Sequence, residues 1–276
     1  MVPLVRGPEP GKLPALAAKA LVTARQRHGQ GHAVARADLP ASYRQLSDEL
    51  WRQQHFKCAY CEAKEQQKRN DVEHFRPAGK ADRMDGTKDA GYWWLAYEWR
   101  NLLFACRNCN QSPFKLDKFP LLPGSVKLQP EDAAPGYEKP VLIDPYAEDP
   151  SVDLGFTFAK FGSIDRWHAW GRTVRGTQSI AIFGLNRGDL LDFYKEHVHL
   201  EVEPAVLRLR AAMARPAATP GDVAVEWNRV AHGLFYRRRA FIALAADALS
   251  ILLTAAERQT WQIDPHKAMR IILAQP

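Results

Sequence analysis

Cys58-Ala59-Tyr60-Cys61, then Val72-Glu73-His74-Phe75-Arg76-Pro77, then Cys106-Arg107-Asn108-Cys109-Asn110: these three strings decide how the chain reads. The 4 cysteines are all that it has, and they fall into two Cys-x2-Cys pairs. A two-residue gap lets both thiolates of a turn face one tetrahedral ion, so each pair supplies half of a zinc site. None is left over for a disulfide. Four thiolates saturate a tetrahedral ion, so this zinc is expected to be structural and closed to chemistry. Such sites bind with about 10–16 kcal/mol in small peptides, which matches or exceeds the roughly 5–15 kcal/mol net stability of a typical domain. The metal therefore closes a long loop that would otherwise float.

The loop carries Glu73 and His74. On a strand, adjacent side chains point to opposite faces, so the two cannot simply ligate one ion side by side. At a strand end beside a loop, one can face a metal and the other a water. A histidine of near-neutral pKa suits proton abstraction from that water. A carboxylate oxygen suits a hard divalent ion such as Mg²⁺. Asn110, one residue past the second knuckle, offers a further oxygen ligand on a backbone that zinc would tether. Asn101, in Trp99-Arg100-Asn101-Leu102, can pin the loop through hydrogen bonds to backbone.

The rest of the chain bounds this reading. It has 276 residues, 46% hydrophobic and 25% charged, an ordinary globular composition with room for one large or two smaller domains. A formal net charge of +7 fits an anionic partner without proving one. The first residues lack the continuous apolar core of a secretory signal, and no apolar run is long enough to span a bilayer, so a soluble, cytoplasmic protein is expected. The divisions read as a helical segment over 1–56, a core over 57–122, a connector over 123–172 and a helical region over 173–276. Helices are expected near 11–28, 41–55, 173–184, 188–214, 221–257 and 264–273, with another starting at Asn108. Short strands are expected at Asp71–Phe75 and Leu102–Ala105. The connector is rich in Pro and Gly, with 7 acidic against 3 basic residues from Lys127 to Lys160, and reads as solvated. Trp93, Trp94 and Trp99 read as filling a small core. Arg237-Arg238-Arg239 reads either as a phosphate track or as a solvated helix face. His197-x-His199 lies in a helix, where such neighbours do not share a face.

Cys-x2-Cys, Glu-His, Asn-Leu and Cys-x2-Cys-Asn in this order resemble an HNH endonuclease. The resemblance implies an α+β fold in which a zinc-stapled ββα-metal (HNH) core is embedded in a mainly helical protein. It implies His74 as general base, Glu73 and Asn110 as ligands of a catalytic Mg²⁺ or Mn²⁺, and Asn101 as the residue that orients the loop. Glu73 stands where Asp is more usual and Asn110 where His is, and both substitutes keep an oxygen donor. The reaction implied is phosphodiester hydrolysis, with Arg76, Arg107, Lys115 and Lys118 as candidate phosphate contacts. The strings VEHFRP, GYWWLAYEWRNLLFACRNCN, DKFPLL, LIDPYAEDP and GRTVRGTQSIAIFGLNR carry a closer resemblance, to the PtuB-like HNH proteins of Septu-type antiphage defence. It covers about Cys58 to Arg187. It implies nucleic acid as substrate, DNA ahead of RNA, and an SMC/ABC-type (PtuA-like) ATPase as partner, sometimes with a retron. The chain has no Walker A string of its own. Two other readings stand beside this one: an RNA (tRNA) nuclease, or a zinc-ribbon nucleic-acid-binding or adaptor module without catalysis.

Overall fold

Short elements joined by turns build the N-terminal half of the protein, whose computed structural model describes residues 1–275. Helices α1 (Leu13–Ala20) and α2 (Val22–Gly29) occupy the span expected to be one helix. A 3₁₀ turn at Ser42–Leu46 leads into α3 (Ser47–Gln53). Then come β1 (Asp71–His74), β2 (Lys80–Asp82), β3 (Lys88–Ala90), β4 (Leu102–Ala105) and the single turn α4 (Arg107–Asn110). Strand β4 pairs antiparallel with β1, setting Glu73 opposite Leu103 and His74 opposite Leu102. All four β4 side chains are fully buried, which is why it reads as the unbroken apolar run Leu-Leu-Phe-Ala. Helix α3 packs on this pair, and Gln54 at its end donates to the Phe104 carbonyl and accepts from the Phe104 amide.

The tryptophans fill this core: Trp93, Trp94 and Trp99 are buried, with the indole N–H groups of Trp94 and Trp99 on the carbonyls of Asp132 and Gly7. The stretch after Leu122 is not the solvated connector that its composition suggests. Leu128, Leu142 and Ile143 are fully buried, and the Glu138 carboxylate accepts from Arg76 Nε at 2.8 Å in a pair that sees almost no water. The same span also holds a hairpin that its Pro and Gly content hides, β5 (Leu154–Phe161) with β6 (Ile164–Gly171). Gly162 supplies the positive φ, +67°, at its turn.

From there the chain is helical: α5 (Val174–Phe183), α6 (Gly188–His197), α7 (Glu203–Met213), α8 (Pro220–Phe235), α9 (Ile242–Leu252), α10 (Ala255–Thr260) and α11 (Pro265–Ala274). Side chains of Thr173, Thr219, Thr254 and Asp264 cap α5, α8, α10 and α11. A π-helical turn over Val198–Val202 joins α6 to α7. Helix α9 is apolar nearly all round and lies at the centre of this half, against β5, α8 and α11. Its one buried acid, Asp247, accepts from the Phe156 amide at 2.7 Å and pairs with Arg172 and His266.

The expected helix over 221–257 breaks at Tyr236–Phe241, where Phe241 takes a left-handed conformation. The arginine triplet lies in that break and contacts distant parts of the chain. Arg237 donates to the Leu273 carbonyl, Arg238 stacks over Phe56, and the Arg239 carbonyl accepts from Lys57. The molecule is thus mixed α and β and mostly helical. No helix among the described residues is long and apolar enough to cross a membrane.

Candidate metal centre and cleft

Pairing β1 with β4 brings the two cysteine turns together, since Cys61 lies before one strand and Cys106 directly follows the other. All four cysteines are buried, with their sulfurs within 4.8 Å of one another and Cys61 to Cys106 at 3.8 Å. A tetrahedron with Zn–S bonds of about 2.3 Å has edges of roughly 3.8 Å, so the donor set and its spacing fit a structural zinc ion. Among the described residues it is the one cluster of three or more His, Cys, Asp or Glu close enough to hold an ion. The sequence reading missed its outer partner. Arg187, at the N-terminus of α6, donates to Cys109 Sγ at 3.2 Å and reaches Cys106 Sγ at 3.9 Å, while its Nε meets Asp189. The helical half is thereby tied to the knuckle by a guanidinium on thiolates.

Next to the knuckles a cleft of about 800 Å³ opens along β1. His74, half-buried, sits in it. Its Nε2 lies 2.9 Å from the Ala96 carbonyl, which can only accept, so Nε2 carries the proton and Nδ1 keeps its lone pair. Burial lowers the imidazole pKa to about 4, against the Ala96 bond and aided by the charges of Arg36 and Lys115. The ring is therefore neutral at pH 7. Tyr43, from the 3₁₀ turn before α3, meets the His74 ring edge-on with centroids 4.6 Å apart.

Asn101 is buried. Its Oδ1 accepts from the Arg76 amide at 2.7 Å, and its Nδ2 donates to the carbonyls of Arg76 and Leu95 at 3.0 and 3.1 Å. Both the entry to and the exit from the His74 loop are held this way. Helix α4 ends at Asn110, far short of the span expected from Asn108 to Lys118, because the chain folds back: the amides of Lys115 and Leu116 return to the carbonyls of Cys109 and Asn110. Asn110 Nδ2 donates to Asp71 Oδ2 at 3.2 Å, as does Gln111 Nε2 at 3.0 Å, and all three residues line the cleft.

Glu73 also reaches the cleft but is buried and already paired. The Lys115 ammonium forms a close ion pair with Oε1, and the Tyr60 hydroxyl lies 3.4 Å from the same oxygen. Burial pushes the carboxyl pKa up to about 7, and Lys115 works against that rise. Lys115 itself is fully buried and also donates to the His74 carbonyl at 2.9 Å.

Of the four cations expected to touch phosphate, Arg107 alone lines the cleft. Lys115 and Arg76 are buried on Glu73 and Glu138, and Lys118 donates to the Pro113 carbonyl. The exposed cations that do line it, Arg36, Arg44 and Lys68, carry no local sequence signal, because the first two arrive from the N-terminal segment. Asp71 had one: two residues before Glu73 on a strand, it shares that residue's face.

Sequence comparison links the chain, at a distance, to Septu proteins. The chain is 33% identical over 139 residues to the Septu protein PtuB of Bacillus mycoides (strain KBAB4), a match covering 49% of this chain and 45% of that protein. It is 25% identical over 138 residues to the Septu protein PtuA of the same strain, covering 49% of this chain and 18% of that protein. The match thus spans less than half the length of either relative. No family model matches the chain, and no solved structure does.

Proposed function

We propose that this zinc-stapled protein is a metal-dependent endonuclease of HNH type that hydrolyses phosphodiester bonds, DNA ahead of RNA. The observation that carries the reading is the His74 imidazole. It is neutral, oriented by the Ala96 carbonyl, and free at Nδ1 inside a cleft that also holds Asn110 and three carboxylates, Asp71, Glu73 and Asp117. Antiparallel β1 and β4, with the single turn α4 directly after β4, support this reading.

His74 takes a proton from water at Nδ1, and Asn101 holds the loop that aims it. Mg²⁺ commonly keeps several waters and takes one or two carboxylates plus substrate phosphate. Oxygen donors from Glu73, Asp71 and Asn110 suit that pattern, and Glu73 Oε2 takes neither the Lys115 nor the Tyr60 contact. A hard divalent ion held by these residues would supply charge neutralisation at the leaving oxygen. By the Septu resemblance, the activity belongs to a defence complex with an SMC/ABC-type ATPase.

The test is cleavage of DNA and RNA with Mg²⁺ or Mn²⁺ by wild type and His74→Ala. Cutting by wild type alone supports the proposal, and the polymer cut names the substrate. A second reading, a nucleic-acid-binding or adaptor module without catalysis, is favoured by one observation: Lys115 already occupies the Glu73 carboxylate. Binding without cutting by either protein, alone or with the partner ATPase, selects that module.

A further inference from the structure

The wall of the cleft facing β1 comes from the N-terminal segment, outside the zinc-framed loop. From this wall and the knuckle we infer that the protein holds one nucleic-acid strand along β1, with its phosphates gripped at both ends by cations from separate parts of the chain. The inference rests on the proposed nuclease reading and adds to it the path of the substrate.

The placement is specific. Lys68 and Arg107 stand at the Asp71 end: Lys68 precedes β1, and the Arg107 amide donates to Asn70 Oδ1 at 3.1 Å. Arg44 follows Tyr43, whose ring meets His74 edge-on. Arg36 marks the far end, because a Cβ on Gly79 would lie 3.0 Å from Arg36 Cβ. Arg36 also donates to the Tyr43 hydroxyl and the Leu39 carbonyl, so its guanidinium is fixed. Arg44, Lys68 and Arg107 are exposed, and among the described residues their side chains make no ion pair or hydrogen bond, although other surface cations do. Of the acids in the lining, Glu73 is paired with Lys115 and Asp117 with Lys80, which leaves Asp71 beside Asn110.

Strand β1 has 4 residues, about 13 Å at roughly 3.3 Å each, and two cations stand at each of its ends, with His74 at the end beside Tyr43. One phosphate held by each cation is the expectation.

Counterion release makes this measurable. Each neutralised phosphate contributes about −0.9 to the slope of log K against log salt for duplex DNA and about −0.7 for a single strand. The experiment uses the full chain carrying His74→Ala, so that nothing is cut, and a fluorescent DNA oligonucleotide, single-stranded and duplex, titrated between about 50 and 200 mM salt. The expected slope is about −2.8 for the single strand or about −3.6 for the duplex. Arg44→Ala and Lys68→Ala each flatten it by about 0.7–0.9, the double variant loses both amounts, and Lys267→Ala, on the exposed side of α11, changes nothing.

An unchanged slope in the double variant overturns the strand path, as does an absence of salt-dependent binding. Cleavage with His74 intact reports separately. Cutting with unchanged slopes sinks the path and spares the nuclease; shifted slopes without cutting, even with the partner ATPase, do the reverse.

Discussion

Arg187→Ala tests whether the helical half stabilises the thiolate cluster. A dication inside four thiolates leaves a net negative charge, and here that charge is buried. Arg187 places one N–H at 3.2 Å from Cys109 Sγ and a second at 3.9 Å from Cys106 Sγ, so one contact is a good hydrogen bond to sulfur and the other is long. A hydrogen bond to a charged group contributes about 1.5–3 kcal/mol, which is roughly 10- to 150-fold in an equilibrium constant. Loss of an outer partner of a metal ligand ordinarily costs about 10–100-fold in affinity. The two figures agree, and we expect zinc to bind Arg187→Ala at least 10-fold more weakly. The assay is competition against a chromophoric chelator at fixed pH. Asp189→Asn serves as the control, since Asp189 is 40% exposed and its pairing with Arg187 is worth little. Hydrogen exchange over α5 and α6 gives a second readout, because the same guanidinium anchors the start of α6. Zinc affinity within twofold of wild type would refute the reasoning.

Removing Glu138 should be costly in a different way. Glu138→Ala leaves the Arg76 guanidinium buried without its partner, and about 3–5 kcal/mol of stability should disappear in a denaturant titration; a loss under about 1 kcal/mol would contradict the pairing. Replacing both partners with apolar residues of similar volume should recover most of that loss. His74→Ala should lower cleavage by about 10²–10⁴-fold while the circular dichroism spectrum and zinc content stay unchanged. The pH response carries two opposed signs. His74 is held at about 4, below its unfolded value, so its contribution is full above the unfolded value and is lost as pH falls toward 4. Glu73 is held at about 7, above its unfolded value, so its contribution is full below that value and is lost as pH rises toward 7. On the proposed nuclease reading, His74 sets no acid limb of activity above about pH 4, whereas binding of Mg²⁺ should weaken as pH falls through about 7. An acid limb that persists near the ordinary histidine value when Mg²⁺ is saturating would contradict the assignment.

The parts legible in the sequence are those with a short-range signature. Two Cys-x2-Cys turns announce a shared ion because spacing alone sets thiolate geometry. The strand Leu102–Ala105 was readable as an unbroken apolar run, and Asp71–Phe75 overran β1 by a single residue. Pairings between distant residues were not legible. Nothing near Lys115 says that its ammonium folds under β1 to meet Glu73, and nothing near Glu138 points to Arg76, because burial of a charge is decided by the assembled core. Arg187 stood inside a quoted string yet carried no hint of sulfur. The hairpin β5–β6 was hidden for another reason. Judging the span by its Pro, Gly and acid content obscured the alternation Leu154-x-Phe156-x-Phe158, which is the period-two signal of a strand. The wall made by Arg36, Tyr43 and Arg44 has no local signature at all.

The loop that follows His74 is fastened twice over: Asn101 clasps the Arg76 main chain while Glu138 grips its side chain. Ordering of that loop is therefore completed during folding, so a substrate arriving at the imidazole has little left to freeze. On the proposed nuclease reading, affinity gained in the cleft then goes toward straining the scissile bond rather than organising the machinery around it.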